Sequence, residues 1–153
     1  IPFIELITKV QNIMHSIVDK FCLYYQEFSE DSIAGLDSIY DQKTVFEDPI
    51  GKVEGLSNLK DHFRKMMSNV SYCRFVITDV VTNDAQAFIT WTMSFAHPKL
   101  NGHKEITVTG VSEIKFDERI TYHRDYFDVG SMFYEHVPIL KKIIAALKKR
   151  LAA

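Results

Sequence analysis

Two carboxylates and an imidazole stand out in this chain as groups that could move protons. The first carboxylate is Asp48, in the stretch TVFEDPIGKVEG from Thr44 to Gly55. Side chains alternate between the faces of a strand, so an inward Phe46 brings Asp48 inward with it. A carboxylate facing an apolar interior has its charged form disfavoured and its pKa raised. That suits it to take and return a proton near neutral pH. The competing reading is a turn cap, in which Asp48 bonds amides near Pro49 and Gly51. The second constellation lies in YHRDYFD, Tyr122 to Asp128. His123, Asp125 and Phe127 share one face of a strand, and Tyr122, Arg124 and Tyr126 share the other. Stems at i and i+2 stand about 7 Å apart, close enough for Asp125 to fix the His123 tautomer. The same two groups could instead be a buried pair satisfying one another, or bonded to Tyr40 or the first helix. Tyr24, on the apolar face of the first helix, is the remaining candidate. Its phenol either stabilises a substrate oxyanion or packs in the core with its hydroxyl bonded internally.

The elements that must position these groups are legible in the hydrophobic period. Val10, Met14, Ile17, Phe21, Tyr24 and Phe28 form one helical stripe. A shorter second helix is expected with Ile33, Leu36 and Tyr40 on one side, then a strand over Thr44–Asp48 and a turn at Pro49 and Gly51. A third helix begins near Gly55 or Ser57, with Leu56, Leu59, Phe63, Met66, Met67 and Val70 inward. From Tyr72 the period becomes two. Strands are expected over Tyr72–Val81, Ala85–His97, Lys104–Phe116 and Ile120–Asp128, and Pro138 opens a last helix. Helices followed by an antiparallel meander give an α+β class, with the sheet curved around a cavity.

Composition narrows the classes. The 153 residues suggest one domain, with its core over about 6–128 and a C-terminal helix over about 137–151. A hydrophobic fraction of 46% and a net charge of -2 are ordinary for a globular protein and give no basic field for nucleic acid. Cys22 and Cys73 match no metal-ligand spacing and are expected as free thiols. No apolar run is long enough to span a bilayer, and the N-terminus lacks a signal-peptide layout, so a cytoplasmic protein is expected.

The segments LDSIYDQKTVFEDPIGKVEGLSNLKDHF (Leu36 to Phe63) and VSEIKFDERITYHRDYFD (Val111 to Asp128) resemble the nuclear transport factor 2-like superfamily. That group includes ketosteroid isomerases, SnoaL-like polyketide cyclases and limonene epoxide hydrolases. The resemblance implies a cone, a curved antiparallel sheet wrapped around N-terminal helices in a cystatin-like fold, with a pocket inside and frequent dimerisation. Against the ketosteroid isomerases it makes Asp48 the base, Tyr24 an oxyanion donor and Ser112 the second donor, where those enzymes carry a protonated aspartate. Against the SnoaL-like cyclases it makes Asp125 the acid/base group, facing the pocket beside His123. The epoxide-hydrolase pattern of Arg-x-Asp on a strand is absent.

Val108, Gly110 and Ser112 are expected on the inner face of the third long strand, beside a wall of Trp91, Met93 and Phe95. With Phe63, Phe127 and Tyr40 these would line an apolar ligand site. The resulting expectation is a small-molecule-binding protein without metal or organic cofactor. It would be an isomerase, cyclase or hydratase acting by proton transfer on a small apolar carbonyl or polycyclic compound. The alternative is a non-catalytic binding or dimerisation module, and the residues leave the choice open. The outward strip Thr107, Thr109 and Val111 suggests a homodimer through the sheet. The tail PILKKIIAALKKRLAA reads as an amphipathic helix packed on its own cone or on a second subunit, with no membrane expected as partner.

Overall fold

The computed structural model describes residues 17–152; Val10 and Met14, at the start of the expected helical stripe, lie outside them. The first helix, α1 (17–26), buries Ile17, Val18, Phe21 and Tyr25, with Phe28 just beyond its end. These positions recur at three- and four-residue steps, as a single buried helix face requires. Tyr24 lies at the edge of that face and is only partly buried. The expected second helix is a 3-10 helix, Asp31–Ser38. Its buried residues, Ile33 and Leu36, are three apart and so fall on one side at three residues per turn. Tyr40 is not on that helix. It opens β1 (Tyr40–Glu47), which starts four residues earlier than the alternation suggested.

A three-residue strand, β2 (Lys52–Glu54), pairs antiparallel with β1 and was hidden in what reads as a turn. Gly55 closes this hairpin with its amide on the Thr44 carbonyl, at a φ of 85° that favours glycine. Helix α2 (Leu56–Ser68) follows, burying Leu56, Leu59 and Phe63. Then come β3 (Tyr72–Thr82), β4 (Gln86–Ala96), β5 (Ile106–Phe116) and β6 (Ile120–Phe127). The sheet order is β2-β1-β6-β5-β4-β3. All neighbours are antiparallel except β1 and β6, which run parallel. Register shifts in β1–β6, β3–β4 and β5–β6 bend the strands, since an extra residue on one strand increases local twist. The α+β fold with a curved, unclosed sheet and a C-terminal helix is thus as the sequence implied.

The main core lies where α1, the 3-10 helix and α2 meet the concave face of the sheet. A second, smaller cluster of Phe95, Leu100, Ile106 and Val108 fills the far end of β4 and β5. A short helix α3 (Val129–Met132) leads through a 3-10 turn to α4 (Pro138–Leu151). None of the residues of α4 is buried in the single chain. No helix among the described residues is long and apolar enough to cross a membrane.

Candidate functional site

β6 carries the centre of the site. Its alternation places His123 and Asp125 on the concave face, and its register with β5 sets Asp125 opposite Ser112 and His123 opposite Ile114. His123 is fully buried, with Phe21, Tyr25 and Phe46 edge-on around the ring and Tyr40 stacked on it. Its Nε2 is 2.7 Å from Asp125 Oδ1, and its Nδ1 is 2.7 Å from the Tyr40 hydroxyl. The Tyr40 hydroxyl is in turn 2.7 Å from that of Tyr25. From the other side Trp91 Nε1 donates to Ser112 Oγ at 2.9 Å, and Ser112 Oγ donates to the same Asp125 oxygen at 2.5 Å.

Donor counting orders this network. An indole N–H can only donate, so Ser112 accepts from Trp91 and gives its own proton to Asp125. With His123 Nε2 donating to the Asp125 carboxylate, which can only accept, Nδ1 accepts from Tyr40, and Tyr40 accepts from Tyr25. Every donor is then satisfied, and two relays, Trp91–Ser112 and Tyr25–Tyr40–His123, end on one oxygen of Asp125. Burial, the dominant influence, pushes the Tyr25 and Tyr40 phenols well above their ordinary pKa, so both stay protonated as the relay requires. Asp125 is the part of the cluster that reaches outward, its side chain 20% exposed.

This arrangement corrects one role drawn from the resemblance. Tyr24 is not in the cluster: its hydroxyl donates to the Ser32 carbonyl at 3.0 Å, and burial raises its pKa. One step along the helix, Tyr25 points at Tyr40 instead, because it lies one turn beyond Phe21 on the same face. Ser112 stands opposite Asp125 in the β5–β6 register, and its hydroxyl donates to that carboxylate.

Asp48 sits elsewhere. Its side chain is 4% exposed, so it is indeed turned inward. Oδ1 accepts from the amides of Ile50 at 2.7 Å and Gly51 at 2.9 Å, the turn-cap geometry. Oδ2 faces His62 Nε2 at 3.7 Å, and that buried nitrogen has no hydrogen-bond partner. The expected rise in pKa is also corrected. Burial does oppose ionisation, but His62 and the two amides outweigh it and hold the carboxyl below its ordinary value. His62 was not singled out from the sequence. Its signal was only its place one residue before Phe63 on α2.

Two hollows adjoin these groups. A void of about 20 Å³, room for about one water, is bounded by residues including Trp91, Ser112, His123 and Asp125. An open groove of about 340 Å³ runs between the end of α2, β3, β4 and α3. Its wall includes Met66, Met67, Val70, Met93, Phe95 and Met132, and Phe75 lines both hollows. The Phe75 ring packs edge-on against Tyr25 and Trp91, forming the partition between them. Of the expected ligand wall, Met93 lines the groove, while Trp91 and Ser112 line the void. Val108 and Phe127 belong to the second apolar cluster, and Phe63 lies in the main core against Tyr25, Phe28 and Phe46. Tyr40 is a link in the relay. The space expected above Gly110 is taken by Trp91: a Cβ there would stand 2.3 Å from its Cη2. Cys22 and Cys73 are free thiols, and burial pushes the groove-lining Cys73 up to about 12. Among the described residues no group of three or more His, Cys, Asp or Glu side chains is placed to hold a metal.

A curved six-stranded sheet closed on one side by N-terminal helices, with a buried His–Asp pair on its concave face, defines a cone-shaped α+β protein of the nuclear transport factor 2-like kind. Residues 23–123 match the SnoaL-like domain family, and the chain belongs to it. Solved structures share the fold. An LEH-like epoxide hydrolase of M. tuberculosis superposes with a TM-score of 0.64 at 20% identity, covering 88% of this chain and 97% of its own. A nuclear transport factor 2-like protein of unknown function from Burkholderia pseudomallei gives 0.70 at 13%, covering 82% and 98%. A protein with a ketosteroid isomerase-like fold from Catenulispora acidiphila, in complex with trimethylamine, gives 0.66 at 14%, covering 78% and 91%. No curated protein matches the chain in sequence.

Proposed function

We propose that this protein binds a small, predominantly apolar molecule in the groove between α2, β3, β4 and α3. The observation that carries this reading is the groove's lining: methionines 66, 67, 93 and 132 with Val70, Phe75 and Phe95, at a volume of about 340 Å³. Clefts of this size and character suit small ligands, and methionine adapts to irregular apolar shapes. His97, on the rim, accepts the Lys99 amide at Nδ1, which leaves its Nε2–H to donate to a ligand carbonyl or hydroxyl. The test is mass spectrometry of molecules co-purified with the native protein, compared with a Met93→Trp variant that fills the groove. Loss of a bound apolar compound in the variant is expected. Equal retention by both would overturn the assignment.

A second reading, acid–base catalysis without a cofactor, is favoured by the two relays that end on Asp125 Oδ1. In it Asp125, held by His123 and Ser112, is the base that takes a proton from carbon next to a carbonyl and returns it, as an isomerase, cyclase or hydratase requires. Asp48, with its lowered pKa, holds the β1–β2 turn. Asp125→Asn keeps the shape of the side chain but cannot accept the proton. It should reduce turnover by about 10²–10⁴-fold with little change in groove binding. Undiminished turnover would leave the binding module as the whole function.

A further inference from the structure

We infer that α4 is a docking helix for an anionic lipid surface. Its sequence, PILKKIIAALKKRL, contains no acidic residue. At 100° per residue, Ile139, Ile143, Leu147 and Leu151 follow one stripe, and they are 74%, 51%, 51% and 89% exposed. The less exposed Leu140 and the half-buried Ile144 lie beside the stripe. The helix meets the body chiefly through the short turn Tyr134–His136. Lys148 is tied to Glu135. Lys141, Lys142, Lys149 and Arg150 have no acidic partner among the described residues; the three lysines lie about 120–140° round the helix from the centre of the apolar stripe, on its polar face, and Arg150 lies within the stripe's arc. At about 21 Å the helix is too short to cross a bilayer and fits lying along one.

Charge selects the occupant. A second copy of α4 laid stripe to stripe on the first would enclose Arg150 with no carboxylate on either helix to pair it. An anionic bilayer satisfies both faces at once. Acyl chains take the isoleucine and leucine stripe, and phosphates take the lysines and Arg150, whose long stems let their heads reach outward. Half-exposed Phe133 and Tyr134 stand just upstream, and Phe133 is part of the groove's rim. Docking would therefore bring the groove toward the lipid and let an apolar ligand pass between them. That consequence rests on the groove reading; the docking itself does not.

The test is co-sedimentation of the full chain with vesicles of phosphatidylcholine alone or with about a third phosphatidylglycerol. The protein should pellet with the anionic vesicles and remain in solution with the neutral ones. Raising the salt from about 0.1 M to about 1 M, which shortens the screening length to about 3 Å, should release it. Leu147→Asp, at an exposed position that leaves the core untouched, should lower partitioning at least about tenfold. The triple change Lys141→Gln, Lys142→Gln, Lys149→Gln should remove the preference for anionic lipid. Wild-type protein that stays in solution with anionic vesicles would overturn the inference, as would a Leu147→Asp variant that binds equally well. Light scattering that finds a dimer converted to a monomer by Leu147→Asp would assign the stripe to self-association instead. The Met93→Trp variant should pellet like the wild type, so a failed groove and a failed docking helix read differently.

Discussion

Asp48 and Asp125 are both inward carboxylates, yet their surroundings differ. Asp48 is enclosed by two amide donors and a nearby imidazole, and such partners stabilise the charged form enough to outweigh burial. Its folded-state pKa lies below its unfolded value. The stability it contributes is therefore present above the ordinary carboxylate pKa of about 3.9 and is lost as pH falls through the lowered folded-state value. Asp48→Asn keeps one acceptor for the amides and removes the charge. The stability gap between wild type and this variant, read by urea titration, should be widest at neutral pH and narrow as the pH falls below about 4. A gap independent of pH would show that the charge contributes nothing. Asp125 likewise accepts two donors on one oxygen, but those donors are side chains at the end of two relays and the carboxylate remains partly exposed, which is why the acid–base reading falls on it.

At the scale of elements, the close approach of β4 to β5 builds the far side of the cluster. Trp91 and Gly110 are register partners, and the indole lies flat across the bare glycine, reaching on to Ser112 with its N–H. Gly110→Ala would drive a methyl into three ring carbons within 2.8 Å. The ring must move, breaking the bond to Ser112. A loss of about 1–3 kcal/mol is expected from the overpacking. Trp91 is the chain's one tryptophan, so its fluorescence reports the site alone and should shift to the red as the ring meets water. An unshifted spectrum with unchanged melting would refute the close contact. The bulges belong to the same scale. The shift in β1 between Tyr40 and Val45 lets Tyr40 pair with Ile120 while Phe46 pairs with His123, and so brings both onto the imidazole.

At the scale of the molecule, two surfaces stand uncovered among the described residues, and they differ in chemistry. The convex face of the sheet carries Thr107, Thr109 and Val111, as the alternation suggested, beside the exposed Val76, Phe88 and Tyr126. It is apolar and hydroxylic, with little charge along its middle row of Val76, Thr92 and Thr109, and a second copy of the chain could cover it. Light scattering should find a homodimer that Thr109→Arg turns to monomer. A wild-type monomer at micromolar concentration would exclude that interface. The basic helix α4 is the other surface, and its charge sets it apart from the convex face.

The sequence by itself determined the class of fold and which residues share a face of β5 and of β6, His123 and Asp125 among them. These follow from periods of two and of three to four residues, which are local and repeat along each element. It also held both readings of Asp48 open, because a turn cap and an inward base share the same three-residue context. Only the tertiary structure decided which donors meet. The Tyr40–His123 bond joins residues 83 positions apart, and it exists because β1 runs parallel to β6 in one register. Tyr25, and not Tyr24, meets Tyr40 because it shares the buried helix face of Phe21. Such choices arise from many distant contacts made at once, and no short stretch of chain contains them.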